Sequence, residues 1–362
     1  MSAPVPVADV QRLAPYTVDT AGRRGLLRLD FNEHTTGPSP RVLERLAALT
    51  GEDLAVYPDE GRARAAIARH LSLGREADFV LTSGADEAIR LVCDGFVSAG
   101  ERVLILEPGY AMYRFYATIA GAEVDAVTVE PDLRFPVGGL RTALAPPPRL
   151  VILGDPHNPT GTSVPEGLIA EIGAAFPDTV VLVDEAYADF TGRTSLPLVT
   201  SLPNVLVART FSKAYGMAGL RIGVLVGHRE TITWLARMRS PYAVNAVALA
   251  AVEAAVEDPA WASSYAAEVR ESRALLREGL ARLGVASYPS EANFVIARFG
   301  GTAPRVRELL RARGVLVRDR SGHPLLHGTL RIGVGTCTDT RRCLEELSRV
   351  LREVSDEDGR PA

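Results

Sequence analysis

The strongest constraint on the fold is an alternation running from residue 79 to residue 227. Short apolar runs, F-V-L-T-S-G (79–84), R-V-L-I-L-E (102–107), E-V-D-A-V-T-V (123–129), R-L-V-I-L-G-D (149–155), V-V-L-V-D-E (180–185), N-V-L-V-A-R-T (204–210) and R-I-G-V-L-V-G (221–227), are separated by segments of helical character. Apolar strands spaced by helices predict an α/β fold with a mostly parallel sheet covered on both faces. Ligands of such sheets gather at the carboxyl ends of the strands. The residues just past those ends are Gly84, Tyr110, Asn158, Asp184 and Lys213, which makes them the first candidates for a site.

Ahead of the alternation, residues 1–36, with prolines at 4, 6 and 15, read as an arm. Helices are expected over 41–49 and 61–71, with A-V-Y-P-D (55–59) as a loop between them. After S-P-Y-A-V-N (240–245) the pattern changes. Helices over 246–256 and 261–283, a strand at 293–299, a helix at 303–313, strands at 315–318 and 330–334 and a last helix at 340–354 suit a smaller α+β domain. The expected division is therefore an arm (1–36), a large domain (37–245) and a small one (246–362), with a frayed tail at S-D-E-D-G-R-P-A.

A hydrophobic fraction of 47% with 23% charge over 362 residues is that of a soluble globular chain able to bury a large core. A net charge of −4, with the arginines scattered, makes no electrostatic case for nucleic acid. Cys93, Cys337 and Cys343 are odd in number and lack metal-ligand spacing, so they read as reduced thiols and not as a metal site. Neither a secretory leader nor an apolar run near the roughly 20 residues of a membrane span is visible. A cytoplasmic protein without a membrane partner is expected.

The basic residues carry the sharpest chemical signal. Of 40 lysines and arginines, only Lys213 is lysine. A guanidinium stays protonated and makes a poor nucleophile, so a lone lysine marks a place where an amine is needed, as for a Schiff base with a carbonyl. A leftover surface lysine is the alternative. Thr210, Ser212 and Arg221 stand around it as a set suited to a phosphate. Gly84-Ala85-Asp86 opens a helix directly after a strand, where free N–H groups favour a phosphate, unless Asp86 merely caps the turn. Asp184 ends an apolar strand, and a carboxylate there needs a cation, either a protonated pyridine nitrogen or an arginine. Tyr110 is placed to lie on a flat ring or to fill the core. Asn158, in D-P-H-N-P-T-G, offers an amide to a phenolate oxygen, and His157 beside it reads as structural.

Taken in order, L-A-P-Y, N-E…G-P-S-P, Y-P-D, S-G-A-D-E, E-P-G-Y-A-M-Y, N-P-T-G, V-D-E-A-Y, F-S-K-A-Y-G-M-A-G-L-R-I-G, S-P-Y-A-V-N, E-A-N-F-V and L-R-I-G-V-G-T span nearly the whole chain. The set resembles the fold-type I aminotransferases of class I/II, which depend on pyridoxal 5′-phosphate, and within them the histidinol-phosphate aminotransferase family. The resemblance implies that Lys213 carries the cofactor and shuttles a proton, while Asp184 keeps its pyridine nitrogen protonated. It implies that Asn158 and Tyr187 bond the phenolate oxygen, that Tyr110 stacks on the ring, and that Gly84, Ala85, Asp86, Thr210, Ser212 and Arg221 hold the phosphate. Tyr57 would reach the phosphate of a neighbouring subunit, which implies a homodimer with shared sites. Arg331 would take the substrate carboxylate, with Asn32, Asn158 and Arg318 completing the substrate side. Arg318 follows the apolar strand V-L-V directly and is expected to reach inward; with Arg320 it otherwise reads as solvated charge.

The implied reaction moves an amino group between an amino-acid-like donor, histidinol phosphate first, and 2-oxoglutarate. Other outcomes on the same fold are decarboxylation and the cyclisations or oxidations of secondary metabolism. A regulator built on this fold needs a DNA-binding module, which a 36-residue arm does not supply. Two stretches depart from the family pattern. N-E-H-T-T-G (32–37) places Thr36 where the family has an aromatic residue, and C-T-D-T (337–340) replaces a charged stretch.

Overall fold

A computed structural model of the chain describes residues 4–11, 13 and 20–358, the last two without their side chains. Of the L-A-P-Y motif, Ala14, Pro15 and Tyr16 lie outside the described residues, as do the last four residues of the tail. β1 (Leu27–Leu29) belongs to a smaller sheet. β2 (Ala77–Thr82), β3 (Arg102–Glu107), β4 (Glu123–Thr128), β5 (Leu150–Gly154), β6 (Val180–Asp184), β7 (Val205–Thr210) and β8 (Gly223–His228) form the larger one, in the order β2-β8-β7-β6-β5-β3-β4. β9 (Ala286–Ser287), β10 (Phe294–Arg298), β11 (Val315–Asp319) and β12 (Thr329–Gly333) join β1 in the order β1-β11-β12-β10-β9.

The larger sheet is mostly parallel; β8 alone runs antiparallel to both its neighbours. Alternate residues of its strands feed two separate cores. Val181 and Val183 face the same core as Val151, Leu153, Val205 and Val207. Leu182, Ile152, Val103 and Leu206 face the other, where Ile89 and Val92 of the helix Gly84–Phe96 cover them. With both faces covered, every residue of β5 and β6 is buried, which is why these strands read as unbroken apolar runs.

The apolar stretch ending the expected arm is a strand. β1 pairs parallel to β11, Leu27 opposite Val315 and Leu29 opposite Val317. This carries Asp30, Phe31 and Asn32 to the junction of the two sheets. The helix expected from 340 begins at Cys337, because Thr336 and Asp339 cap it reciprocally: Thr336 donates to Asp339 Oδ2 from N (2.9 Å) and from Oγ1 (2.7 Å), and Asp339 N donates back to Thr336 Oγ1 (3.1 Å). A capping box at Thr50 and Asp53 likewise starts a short helix, Gly51–Ala55, that takes the first residue of the expected loop. The helix expected from 261 starts at Pro259, a favoured first helical position for proline.

Two buried histidines hold the loops next to the site. His34 accepts from Thr36 N (3.2 Å) and Gly37 N (3.1 Å) at Nδ1 and stacks on Tyr265, with ring centroids 3.4 Å apart. His157 keeps Nδ1 within 2.9 Å of Thr160 Oγ1. Burial pushes both imidazoles down from 6.5 to about 4. The unfolded chain takes up these protons below pH 6.5 and the folded chain does not, so their share of stability is complete above pH 6.5 and is lost as the pH falls toward 4. At 1.36 kcal/mol per pH unit this is on the order of 3 kcal/mol for each histidine. The thermal midpoint should fall between pH 6.5 and 4, and less steeply in His34→Asn, whose amide keeps an acceptor but does not titrate. Equal slopes in the two proteins would show that His34 is not part of the acid transition.

Candidate active site

The carboxyl ends of β2, β3, β5, β6 and β7 open on one cavity. Ala85, Asp86, Tyr110, Asn158, Asp184, Tyr187, Thr210, Ser212, Lys213 and Arg221 all line it. At one end the helix Gly84–Phe96 presents its first turn, whose N–H groups have no partner within the helix. Gly84 sits at φ +76, and a Cβ there would lie 2.5 Å from Arg221 Nη2, so only glycine lets the guanidinium lie over that helix end. Arg221 donates to Asp86 Oδ2 (3.0 Å), Tyr110 donates to Asp86 Oδ1 (2.7 Å), and Thr210 Oγ1 donates to Ser212 Oγ (2.9 Å). Guanidinium, hydroxyls and helix start together make an anion seat.

Opposite this seat lies Asp184, 6% exposed. Tyr113 Oη donates to its Oδ2 (2.7 Å) and Ala186 N to its Oδ1 (3.0 Å). Burial raises the carboxyl, and these two bonds act against it. Arg209 meets Glu185 and Asp189 and not Asp184. Arg209 Nη1 lies 3.6 Å from Glu185 Oε2 and Arg209 Nη2 lies 2.5 Å from Asp189 Oδ1. Glu185, 2% exposed, is pushed up by burial to about 6.

Between the two ends, Lys213 Nζ donates to Phe31 O (3.0 Å). The Tyr187 hydroxyl accepts from Asn32 Nδ2 (3.0 Å) and Asn158 Nδ2 (3.2 Å), which leaves its own proton to be donated. This donor set fits pyridoxal phosphate: a seat for the phosphate, a buried carboxylate for a cationic ring nitrogen, amide and phenol donors for an ionised ring hydroxyl, and one amine.

A second cavity adjoins the first and shares Phe31, Tyr110, Asn158, Tyr187 and Lys213 with it. Its remaining wall brings in Asn32, Arg318, Arg320 and Arg331, and no aspartate or glutamate is among its described lining residues. Arg318 and Arg331 stand directly opposite each other on β11 and β12. Arg331 donates to Asn158 Oδ1 (2.8 Å) and to Asp30 O (2.7 Å).

Tyr57 is not brought to the cavity of its own chain. It is 77% exposed and stacks on Tyr242 with ring centroids 4.2 Å apart. Thr36 is exposed and belongs to the wall of neither cavity, and His157 is buried as a structural residue. The sequence reading missed Tyr113 and Phe31. The tyrosine lies in the quoted motif E-P-G-Y-A-M-Y, but nothing local marks it as the partner of a carboxylate 71 residues on. Phe31 contributes a backbone carbonyl, for which side-chain patterns carry no signal.

Residues 24–347 match the model of the family described as aminotransferase class I and II. A histidinol-phosphate aminotransferase of Symbiobacterium thermophilum is 40% identical over 353 residues, covering 96% of this chain and 95% of its own. One of Paracoccus denitrificans is 36% identical, covering 92% and 91%. The crystal structure of histidinol-phosphate aminotransferase from Sinorhizobium meliloti, in complex with pyridoxal 5′-phosphate, superposes with a TM-score of 0.87 at 28% identity, covering 98% of this chain and 99% of that one. The chain belongs to the class I and II aminotransferases, and within them to the histidinol-phosphate aminotransferase family.

Proposed function

We propose that this aminotransferase holds pyridoxal phosphate in the first cavity and moves an amino group between histidinol phosphate and 2-oxoglutarate through the second. The observation that carries the substrate is the wall of Arg318, Arg320 and Arg331. Like charges directly opposite across strands destabilise a sheet, and an anion between Arg318 and Arg331 relieves the repulsion. Histidinol phosphate has no carboxylate, and its phosphate takes this place; a carboxylate of 2-oxoglutarate takes it in the other half of the reaction. Guanidinium forks accept both groups in two-pronged fashion.

When bound, the cofactor supplies an aldehyde for an amine and a cationic ring that takes up the electron pair left at the amino-bearing carbon. Lys213 supplies the amine and, once displaced by the donor, moves the proton at that carbon. Asp184 holds the proton on the ring nitrogen. Tyr187, fixed by Asn32 and Asn158, donates to the ring hydroxyl oxygen. Tyr110 covers the ring, and Arg221, Thr210, Ser212 and the backbone of Ala85 and Asp86 hold the phosphate.

The enzyme works as a cytoplasmic homodimer. Tyr57 and Tyr242 stack on the surface at 77% and 53% exposed, with Leu54 and Val56 exposed near them. An aromatic pair of this kind fits a protein interface, and Tyr57 reaches the phosphate seat of the neighbouring subunit.

Borohydride reduction of the loaded protein should fix the cofactor on the peptide containing Lys213, and Lys213→Ala should take up none; label at the N-terminus alone would refute the assignment. Arg318→Ala removes a charge-assisted bond worth roughly 1.5–3 kcal/mol. It should lower kcat/KM for histidinol phosphate at least about tenfold and that for histidinol, which lacks the anion, less than about threefold. Equal losses on both donors would remove the case for an anion at Arg318. Lys213→Ala and Tyr57→Ala chains, each nearly inactive alone, should regain about a quarter of native activity when mixed and allowed to exchange. Half of the dimers are then mixed, and each of those has one intact site. No recovery after proven exchange would mean that Tyr57 serves its own chain.

A further inference from the structure

Asp184 is useful only as an anion directed into the cavity, and it stands where an anion is disfavoured. Among the described residues no guanidinium pairs with it in the way that Arg209 pairs with Glu185, and the Lys213 charge acts on it only through space. What meets it are two hydrogen bonds, from Ala186 N to Oδ1 (3.0 Å) and from Tyr113 Oη to Oδ2 (2.7 Å). The first comes from the backbone two residues on and follows from the local turn. The second comes from the helix Ala111–Ile119, which follows β3, and is long-range.

From this geometry we infer that Tyr113 is a positioning residue of the site, whose phenol keeps Asp184 ionised and fixes its direction into the cavity. The inference rests on the cofactor reading above. Tyr113 is 2% exposed, and its hydroxyl projects into space that β5 leaves open. Gly154 ends that strand, and a Cβ there would lie 3.1 Å from the hydroxyl. A tyrosine that only filled the core would bring no more than a phenylalanine does, and a buried hydroxyl without a partner would be a liability. Burial, the Asp184 charge and the bond to it hold the phenol well above its ordinary range, which favours its protonated, donating form. Tyr113 also packs edge-on against Tyr110, ring centroids 5.6 Å apart at 84°, and Tyr110 in turn bonds Asp86 at the anion seat. One side chain thus touches both the carboxylate and the ring expected to cover the cofactor.

Tyr113→Phe keeps the ring and removes the donor. A bond to a charged group is of a strength that makes the expected loss of cofactor affinity about tenfold or more. In an Asp184→Asn background the same change should have little further effect on cofactor affinity, because the carboxylate charge that the bond supports is gone. Tyr116→Phe, on the same helix and outside both cavities, should leave affinity unchanged. The pair is also read without cofactor. In infrared difference spectra, the protonated-carboxyl band that Asp184→Asn abolishes should appear at higher pH in Tyr113→Phe than in the native protein. Gly154→Ala, which crowds the hydroxyl, should move both readouts in the same direction. A Tyr113→Phe protein with native cofactor affinity and an unmoved carboxyl band would overturn the inference, as would equal losses of affinity in the native and Asp184→Asn backgrounds. A native protein that takes up no cofactor would overturn the cofactor reading instead, and the infrared comparison would still decide the role of Tyr113.

Discussion

A carboxylate buried at the end of β6 sets the terms for the rest of the site. The chain places two acids side by side there, Asp184 and Glu185, and treats them differently. Glu185 turns to Arg209 and accepts bonds from Thr194 Oγ1 and Ser195 N, so its charge is met within the protein. Asp184 faces the other way, since successive residues of a strand point to opposite faces. Among the described residues it receives hydrogen bonds and no guanidinium, with the Lys213 charge acting only through space. Withholding a cation from a buried acid is unfavourable for the protein alone. It becomes favourable when a ligand brings the cation, and a ring nitrogen that must stay protonated is a cation of that kind.

The smaller sheet matters because of what β1 carries into the junction. Lys213 donates to the Phe31 carbonyl, Arg331 to the Asp30 carbonyl, and Asn32 donates its amide to Tyr187. Three consecutive residues therefore touch the amine, an arginine of the second cavity and the phenol. They are held there by the pairing of only three residues, Leu27 to Leu29, with β11, and Arg23, bonded to both Asp30 and Glu33, ties the segment further. Placement of the cofactor-side and substrate-side groups relative to one another depends on this short strand.

Much of this was legible in the sequence, and the reason is geometric. A parallel sheet gathers the ends of its strands, so residues far apart in the chain but each just past a strand, such as Gly84, Asn158, Asp184 and Lys213, meet without further information. The lone lysine was legible because arginine could replace it everywhere except where a deprotonatable amine is needed. Tyr113 was not legible. It lies in a helix beside the buried Met112, where an aromatic residue reads as core, and its partner is reached only because β3 lies next to β5 and β5 next to β6. The contributions of Asp30 and Phe31 are carbonyl oxygens, which every residue owns and no pattern reveals. The departures from the family pattern lie outside the described lining of both cavities. Thr36 is exposed, while Asp339 of the C-T-D-T stretch is engaged with Thr336 in capping a helix.

A transaminating enzyme must accept two dissimilar partners in one cleft, and the pairing of β11 with β12 bears on how this chain does so. Arg318 and Arg331 are cross-strand neighbours, and Arg318 also lies 5.6 Å from the Phe31 ring. A fork of fixed shape binds phosphate and carboxylate through the same parallel bonds, so it can serve both substrates without rearranging. The position where the family pattern has an aromatic residue holds Thr36, which lines neither cavity and turns to His34, and His34 in turn is held by its stack on Tyr265 and its bonds from Thr36 and Gly37. Residue 36 brings no aromatic side chain to either cavity, so the cross-strand guanidiniums of Arg318 and Arg331 are the fixed feature of the second cavity that an anionic partner would meet.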